Sequence, residues 1–339
     1  MKFLIKLFPL FFLIISCGSS STVEDDSETD FIIAFGSCNR QDESQALWKP
    51  VLRNSPDLFL WGGDNIYADT DAAEEMQAAY ELQQNNAAYQ KLINQVPVLG
   101  TWDDHDYGLN DAGKEWHFKE KSQQLFLDFM GVPENSPRRN REGVYHSEIF
   151  ETEKGSIKVI LLDTRYFRDE LIKSDDPDKR YEPSAGTVLG EKQWNWLEEE
   201  LQNSTANFNI IMSSIQILSA EHGFETWGNF PSEVEKLKKL IVSSKAGNIV
   251  LLSGDRHISE FSKTKVEGLE YPLVDFTSSG LTHAYEQFKG EPNRFRVGEV
   301  VSTESFGILK FDFDKNKVLL EMRGRQNKLQ QDYLIDFKK

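Results

Sequence analysis

Seven short apolar runs, rich in β-branched and aromatic residues and each cut off by a polar cluster, constrain the fold of this chain more than any other feature. Phe31–Phe35 ends in Gly36-Ser37-Cys38, Leu58–Trp61 in Gly62-Gly63-Asp64-Asn65, and Val96–Trp102 in Asp103-Asp104-His105-Asp106. Ile157–Leu162 precedes Asp163-Thr164-Arg165, and Phe208–Met212 precedes Ser213-Ser214. Ile249–Leu252 precedes Ser253-Gly254-Asp255-Arg256-His257, and Leu273–Phe276 precedes Thr277-Ser278-Ser279. Runs this short and apolar on both faces read as strands buried in a sheet. Amphipathic stretches separate several of them: Leu47, Val51 and Leu52 fall at helical spacing in Glu43–Asn54, as do Met76 with Tyr80 and Tyr89 with Leu92 in Ala73–Ile93. Trp194, Leu197 and Leu201 do so in Glu191–Gln202, and Val234, Leu237 and Ile241 in Ser232–Val242, which Pro231 opens. Strand, loop and helix in alternation predict a layered α/β fold. Leu309, Phe311 and Phe313, then Val318, Leu320 and Met322, alternate about a turn at Asp314–Asn316, which predicts a C-terminal β-hairpin before a polar tail, Asn327–Lys339. No Pro- or Gly-rich linker or repeat breaks the pattern, so residues 31–339 are expected to form one domain. The polar stretch Asp169–Thr187 reads as a long surface loop bordering the site.

The N-terminus reads as an export signal. Lys2 and Lys6 precede the apolar run Leu7–Ile15, too short to span a bilayer, and a small residue stands before Cys17. Ile14-Ile15-Ser16-Cys17 resembles the bacterial lipobox, which implies removal of residues 1–16 and acylation of Cys17, so that an exported, membrane-anchored lipoprotein is expected. Residues 17–30, rich in Ser, Glu and Asp, then form an acidic tether. With Cys17 carrying lipid, the second of the two cysteines, Cys38, has no partner in the chain, and a lone thiol in an oxidising compartment is expected to be buried or bound to metal. The 55 acidic residues against 38 basic ones give a formal net charge of −17, which disfavours binding to nucleic-acid phosphates. A small anionic substrate would then need locally arranged cations, and metal ions suit a chain so rich in carboxylates.

In open α/β sheets ligands bind beyond the carboxyl ends of the strands. The polar clusters occupy such positions, so Cys38, Asp64, Tyr67, Asp104, His105, Asn110, Asp255 and His257 can meet at one site. Thiolate, carboxylate, phenolate, amide and imidazole make a metal-ligand set. Tyr67 lies three residues past Asp64, a spacing one tight turn can aim at one ion, and Asp255 and His257 alternate by two, as an extended segment requires for a common direction.

The ordered motifs Gly36-Ser37-Cys38, Gly63-Asp64-Asn65-Ile66-Tyr67, Trp102-Asp103-Asp104-His105, Asp163-Thr164-Arg165, Leu189-Gly190-Glu191-Lys192-Gln193-Trp194 and Gly254-Asp255-Arg256-His257 resemble those of the PhoD-like, or alkaline phosphatase D, branch of the metallophosphoesterases. The resemblance implies a four-layer α/β/β/α sandwich and hydrolysis of phosphate mono- or diesters at a mixed iron and calcium centre, the attacking hydroxide being supplied at the metals. Position by position, it implies that Asp64 bridges, that Cys38, Tyr67 and His257 hold Fe(III), and that Asp104, Asn110 and Asp255 hold Ca2+. Thiolate and phenolate suit a trivalent ion, and carboxylate and amide oxygens suit calcium. His105 is expected to protonate or position the leaving oxygen, and Arg165 to neutralise phosphate charge, with an ion pair to Asp163 or Asp169 as its alternative role. Asp103 and Asp106 read as braces of their loop, and His283 as a loop residue following a strand. Relatives of this family carry a β-sandwich before the first strand or a helix over the site; a tether, a hairpin and a polar tail stand in those places here, so a more open site is expected. Two other functions fit parts of the pattern: a two-metal nucleotidase or pyrophosphatase, and a calcium-dependent binding lipoprotein, which would need no Cys, Tyr and His beside its acids.

Overall fold

The computed structural model describes residues 29–337. The leader, Cys17 and most of the expected tether lie outside them. Strands β1 (Phe31–Gly36), β2 (Leu58–Gly62) and β3 (Val98–Thr101) alternate with helices α1 (Trp48–Leu52), α2 (Ala73–Gln84) and α3 (Ala87–Ile93). Helices α4 (Asp104–Tyr107) and α5 (Lys119–Phe129) follow, then the antiparallel pair β4 (His146–Glu151) and β5 (Ser156–Leu161). A short ribbon of β6 (Ile172–Lys173) and β7 (Tyr181–Glu182) occupies the stretch expected to be a surface loop. Next come α6 (Gly190–Gln202), β8 (Phe208–Met212), α7 (Pro231–Ser243) and β9 (Ile249–Ser253). The chain closes through β10 (Ser259–Thr264), β11 (Leu273–Ser278), β12 (Arg296–Val301), β13 (Ser305–Asp312), β14 (Lys317–Gly324) and β15 (Leu329–Asp336).

All seven expected strands are present, four of them inside one sheet and three side by side in another, where β3 forms the edge. One sheet has the order β15-β14-β13-β1-β2-β3, the other β12-β10-β11-β9-β8-β5-β4. β1, β2 and β3 are parallel, as are β5, β8, β9 and β11, so each sheet gathers several carboxyl ends on one edge. The sheets meet through a core that includes Ile33, Phe35, Leu60, Val159, Phe208, Leu252 and Phe276. Phe35 of β1 and Phe276 of β11 meet edge to face across it, centroids 4.8 Å apart. Helices α6 and α7 bury Trp194, Leu197, Leu201, Leu237 and Ile241 against the seven-stranded sheet. On the outer face of the six-stranded sheet, α1 and α3 bury Trp48, Val51, Tyr89 and Leu92. The result is the expected order of layers, helices outside and two sheets within.

Two local expectations change. The helix expected over Ala73–Ile93 is two helices, broken at Asn85–Asn86, because the Asn86 side chain accepts from the backbone N–H groups of Ala88 and Tyr89 at 2.9 and 3.2 Å and so starts a new helix. The polar tail expected after residue 327 is instead strand β15. It pairs with β14, with Ile335 opposite Val318, and Ile335 and Phe337 join the core while the intervening residues stay polar. The C-terminal hairpin is thus the first half of a three-stranded meander.

Gly307 of β13 lies opposite Phe35, and a Cβ there would sit 2.0 Å from the Phe35 ring. That ring is fully buried between the sheets and has nowhere to turn. Gly307→Ala is therefore expected to destabilise the fold by about 1–3 kcal/mol, read as a lower urea midpoint at an unchanged m-value.

Candidate metal centre

The strand ends carry their polar residues into one hollow by leaving the extended backbone abruptly. Cys38, Asp64, Asp255 and His257 all have φ between +50° and +66°. For non-glycine residues that conformation costs about 1–2 kcal/mol each and collects at functional sites. Cross-links between the loops hold it: the Asn39 N–H donates to the Asp64 carbonyl at 2.8 Å, and the His257 N–H to Ser279 Oγ at 2.7 Å. Gly254 lets the loops close, since a Cβ there would stand 2.6 Å from Ser37 Oγ and 2.7 Å from the Gly62 carbonyl.

Asp64 is the hub. Its Oδ2 lies 3.3 Å from Cys38 Sγ and 3.2 Å from the Tyr67 hydroxyl, which in turn lies 3.4 Å from His257 Nε2. Cys38, Asp64 and His257 converge within metal-binding range of one another, and so do Asp64, Asp103, Asp104 and Asp255. Asp64 belongs to both groups. Around them, Ser279 Oγ donates to Cys38 Sγ at 3.0 Å, the His105 N–H to Asp64 Oδ1 at 3.3 Å, and the Asp111 N–H to Asp104 Oδ2 at 2.7 Å.

Burial makes this crowding electrostatically costly. It pushes the Cys38 thiol up to about 12, with Asp255 adding to the effect, and raises Asp64 well above the carboxylate range, with Cys38 and Asp104 adding to it. The Tyr67 phenol rises for the same reasons, burial first and then Asp64. Asp255 moves up to about 7 through burial, although Arg256 opposes the shift. Burial also opposes charge on Asp104, yet Arg165 and His105 outweigh it and hold Asp104 at about 2, so the charge of the Asp64–Asp104 pair sits on Asp104. A thiol, a phenol and several carboxylates held within contact distance in a dry hollow need a cation to ionise together. The donor set fits metal ions: soft and anionic donors on one side of Asp64, carboxylates on the other.

Comparison with known proteins gives the family and the fold. A family model described as PhoD-like phosphatase matches residues 33–293. The chain belongs to the PhoD-like phosphatase family. It is 25% identical over 301 residues to alkaline phosphatase D of Bacillus subtilis strain 168, a match that takes in 73% of this chain and 51% of that protein, so the chain spans about half the length of that curated relative. The solved structure of PhoD superposes with a TM-score of 0.72 at 18% identity, covering 91% of this chain and 68% of that one. Purple acid phosphatase PPD1 of yellow lupin (Lupinus luteus) superposes with a TM-score of 0.61 at 12% identity, over 91% of this chain and 54% of that one. At these identities the structural likenesses are of fold: two sheets packed between helices.

This PhoD-like chain gathers Cys38, Asp64, Tyr67, Asp104, His105, Asp255 and His257 at the centre. It does not gather Asn110, whose side chain is exposed. The neighbouring Asp111 turns inward instead, with φ +56°, and falls within metal-binding range of Asp104 and Glu225. Arg165 also differs from expectation. It is fully buried, its Nε 2.5 Å from Asp103 Oδ1 and its Nη1 2.7 Å from Glu225 Oε2. Its guanidinium pairs with Asp103 and Glu225 rather than with Asp163 or Asp169, so it is taken up in bracing buried carboxylates. Arg168, paired with Glu225 at 2.9 Å, extends that brace. Asp103 braces as expected, accepting from Arg165 and from Ser214 Oγ at 2.7 Å.

Three groups at the mouth were missed or ranked low from sequence. His283 packs its ring against His257 and Tyr67, centroids 4.4 and 5.1 Å apart, a position signalled only by its closeness to the end of β11. Asp69 binds His105 Nδ1 at 2.7 Å. The half-exposed guanidinium of Arg40 stands 5.5 Å from the Tyr67 ring. Because Arg165 is a brace, Arg165→Met leaves the buried Asp103 without a guanidinium and Glu225 with Arg168 alone, and is expected to lower stability by about 3–5 kcal/mol. Thermal denaturation checks this; a residue serving only to touch substrate would leave the melting temperature unmoved.

Proposed function

We propose that this chain hydrolyses phosphate mono- or diesters, with Fe(III) held by Cys38, Asp64, Tyr67 and His257 and Ca2+ held by Asp64, Asp104 and Asp255. The observation that carries the reading is the convergence of thiol, phenol, imidazole and carboxylates on Asp64, a set with anionic donors for a trivalent ion on one side and hard oxygens on the other. Membership of the PhoD-like family supports it. When bound, such ions supply Lewis acidity toward the phosphoryl oxygens and acidity to coordinated water.

The chain's own residues supply orientation and a proton. His105 stacks on Tyr67 with centroids 4.1 Å apart, and Asp69 fixes its Nδ1, which leaves Nε2 to hold the proton that the departing oxygen needs. Burial works against charge on His105, but Asp64, Asp69 and Asp104 prevail and raise it to about 10. Arg40, half-exposed beside Tyr67 and paired through Nε with Asp42 and Glu43 at 3.4 and 3.3 Å, is the guanidinium we assign to meet an incoming phosphate in place of the buried Arg165. The formal charge of −17 favours small esters over polyanions.

We also propose that the chain is an exported lipoprotein anchored through Cys17, the support for which is the residue pattern of the leader. Cys17→Ser is expected to leave the chain unprocessed and unlabelled by radioactive fatty acid. For the centre, elemental analysis of protein made without added metal is expected to find iron and calcium. Asp64→Asn should fold, lose most of its metal and fall at least 100-fold in turnover of chromogenic mono- and diesters. Tyr67→Phe should abolish a visible tyrosinate-to-iron absorption band, a readout independent of activity. Full turnover by metal-free protein, or by Asp64→Asn, would overturn the reading.

A further inference from the structure

The alcohol carried by a phosphate at the centre must extend over neighbouring surface, and one ligand residue also lines a second hollow there. His257 lines a pocket of about 410 Å³ together with Phe224, Arg256, Ala284 and Tyr285. That size falls within the roughly 300–1,000 Å³ of small-molecule sites. Its chemistry differs from that of the centre, for the lining holds two aromatic rings, a guanidinium and an imidazole and no carboxylate. Tyr285 is 40% exposed, and its backbone N–H donates to the His257 carbonyl at 2.7 Å, so its place is tied to the turn that carries the ligands.

Arg256 lies between Asp255 and His257 in the same turn. It is more than nine-tenths buried, its guanidinium stands 4.1 Å from the Phe224 ring centroid, and its Nη2 binds Glu291 at 2.7 Å. Its Nε, also buried, makes no hydrogen bond. A buried donor without an acceptor asks for one. Phe224 carries the guanidiniums of Arg256 and Arg180 at 4.1 and 5.1 Å from its centroid, so the exposed ring of Tyr285 is the face that can accept a flat π-system, and the guanidiniums add a demand for lone pairs in or near that plane. A planar heterocycle meets both demands. A glycerol-like or alkyl alcohol meets neither.

We propose that Phe224, Arg256 and Tyr285 form the subsite for the alcohol portion of the substrate and that its occupant is a nucleoside, with the phosphate at the metal centre and the base in this pocket. The assignment rests on the phosphate-ester reading above and names its substrate class.

The test compares adenosine 5′-monophosphate with glycerol 3-phosphate, each as monoester and as methyl diester, on the metal-replete full chain. The kcat/KM of the adenosine ester is expected to exceed that of the glycerol ester about ten-fold or more, through a lower KM. Tyr285→Ala should cut that ratio about ten-fold, Tyr285→Phe should keep it, and Phe224→Leu should lower it without emptying the wall. Adenosine should compete with glycerol-ester turnover, and ribose should not. A wild-type ratio near one, or a ratio that Tyr285→Ala does not move, overturns the nucleoside subsite and leaves phosphate-ester hydrolysis standing. No turnover of any of the four esters overturns both.

Discussion

Like charges held together without water are the constraint on which this structure depends. Asp64, Asp103, Asp104 and Asp255 lie within a few ångströms of one another, and the protein answers from below with Arg165 and Arg168, themselves anchored by Glu225. Carboxylates and guanidiniums interleave: Arg165 joins Asp103 to Glu225, Arg168 adds a second cation to Glu225, and Glu225 lies in turn beside Asp104. Such a network is stable only when every member is present, because removing one exposes the next to an unpaired buried charge. That is why Arg165 cannot also serve as a mobile phosphate clamp.

The fold supplies the crowding through its topology. Cys38, Asp64 and Asp104 leave the ends of three parallel strands of one sheet, while Asp255, His257 and Ser279 leave neighbouring strands of the other. Strand ends are where backbone direction changes cheaply, and left-handed turns at four of these residues aim side chains that an extended chain would send apart. The aromatic pocket beside His257 arises from the same turn, so the metal-ligand cluster and the pocket share one piece of backbone.

Much of this was legible in the chain. The seven apolar runs became strands, six of them with a neighbour on each side and β3 at an edge, because runs apolar on both faces are satisfied where both faces of a sheet are covered, and the residues closing them supplied the centre. What escaped the sequence depended on distance or on loop detail. Arg165 meets Glu225 across 60 positions, and nothing local distinguishes that partner from Asp163 or Asp169. Asn110 and Asp111 are adjacent, and only the loop's turn decides which faces inward. Strand β15 was readable in principle, since Tyr333, Ile335 and Phe337 alternate, but Leu334 blurs that period and Gln330, Gln331, Asp332 and Asp336 make the tail read as polar. The Asn85–Asn86 break was likewise present as a capping residue inside an otherwise helical pattern.

The division of the donor set between two sheets has a thermodynamic consequence. Neither sheet owns a complete site, so the centre exists only while the sheets are docked, and any ion that binds there adds its binding free energy to their docking. The Phe35–Phe276 contact and the shared donors then work as two fasteners of one seam, one apolar and lasting, the other as strong as the supply of ions around the protein. The concentration of metal outside the molecule thereby becomes a variable of its folding equilibrium, and a local ligand site acts on the cooperativity of the whole sandwich.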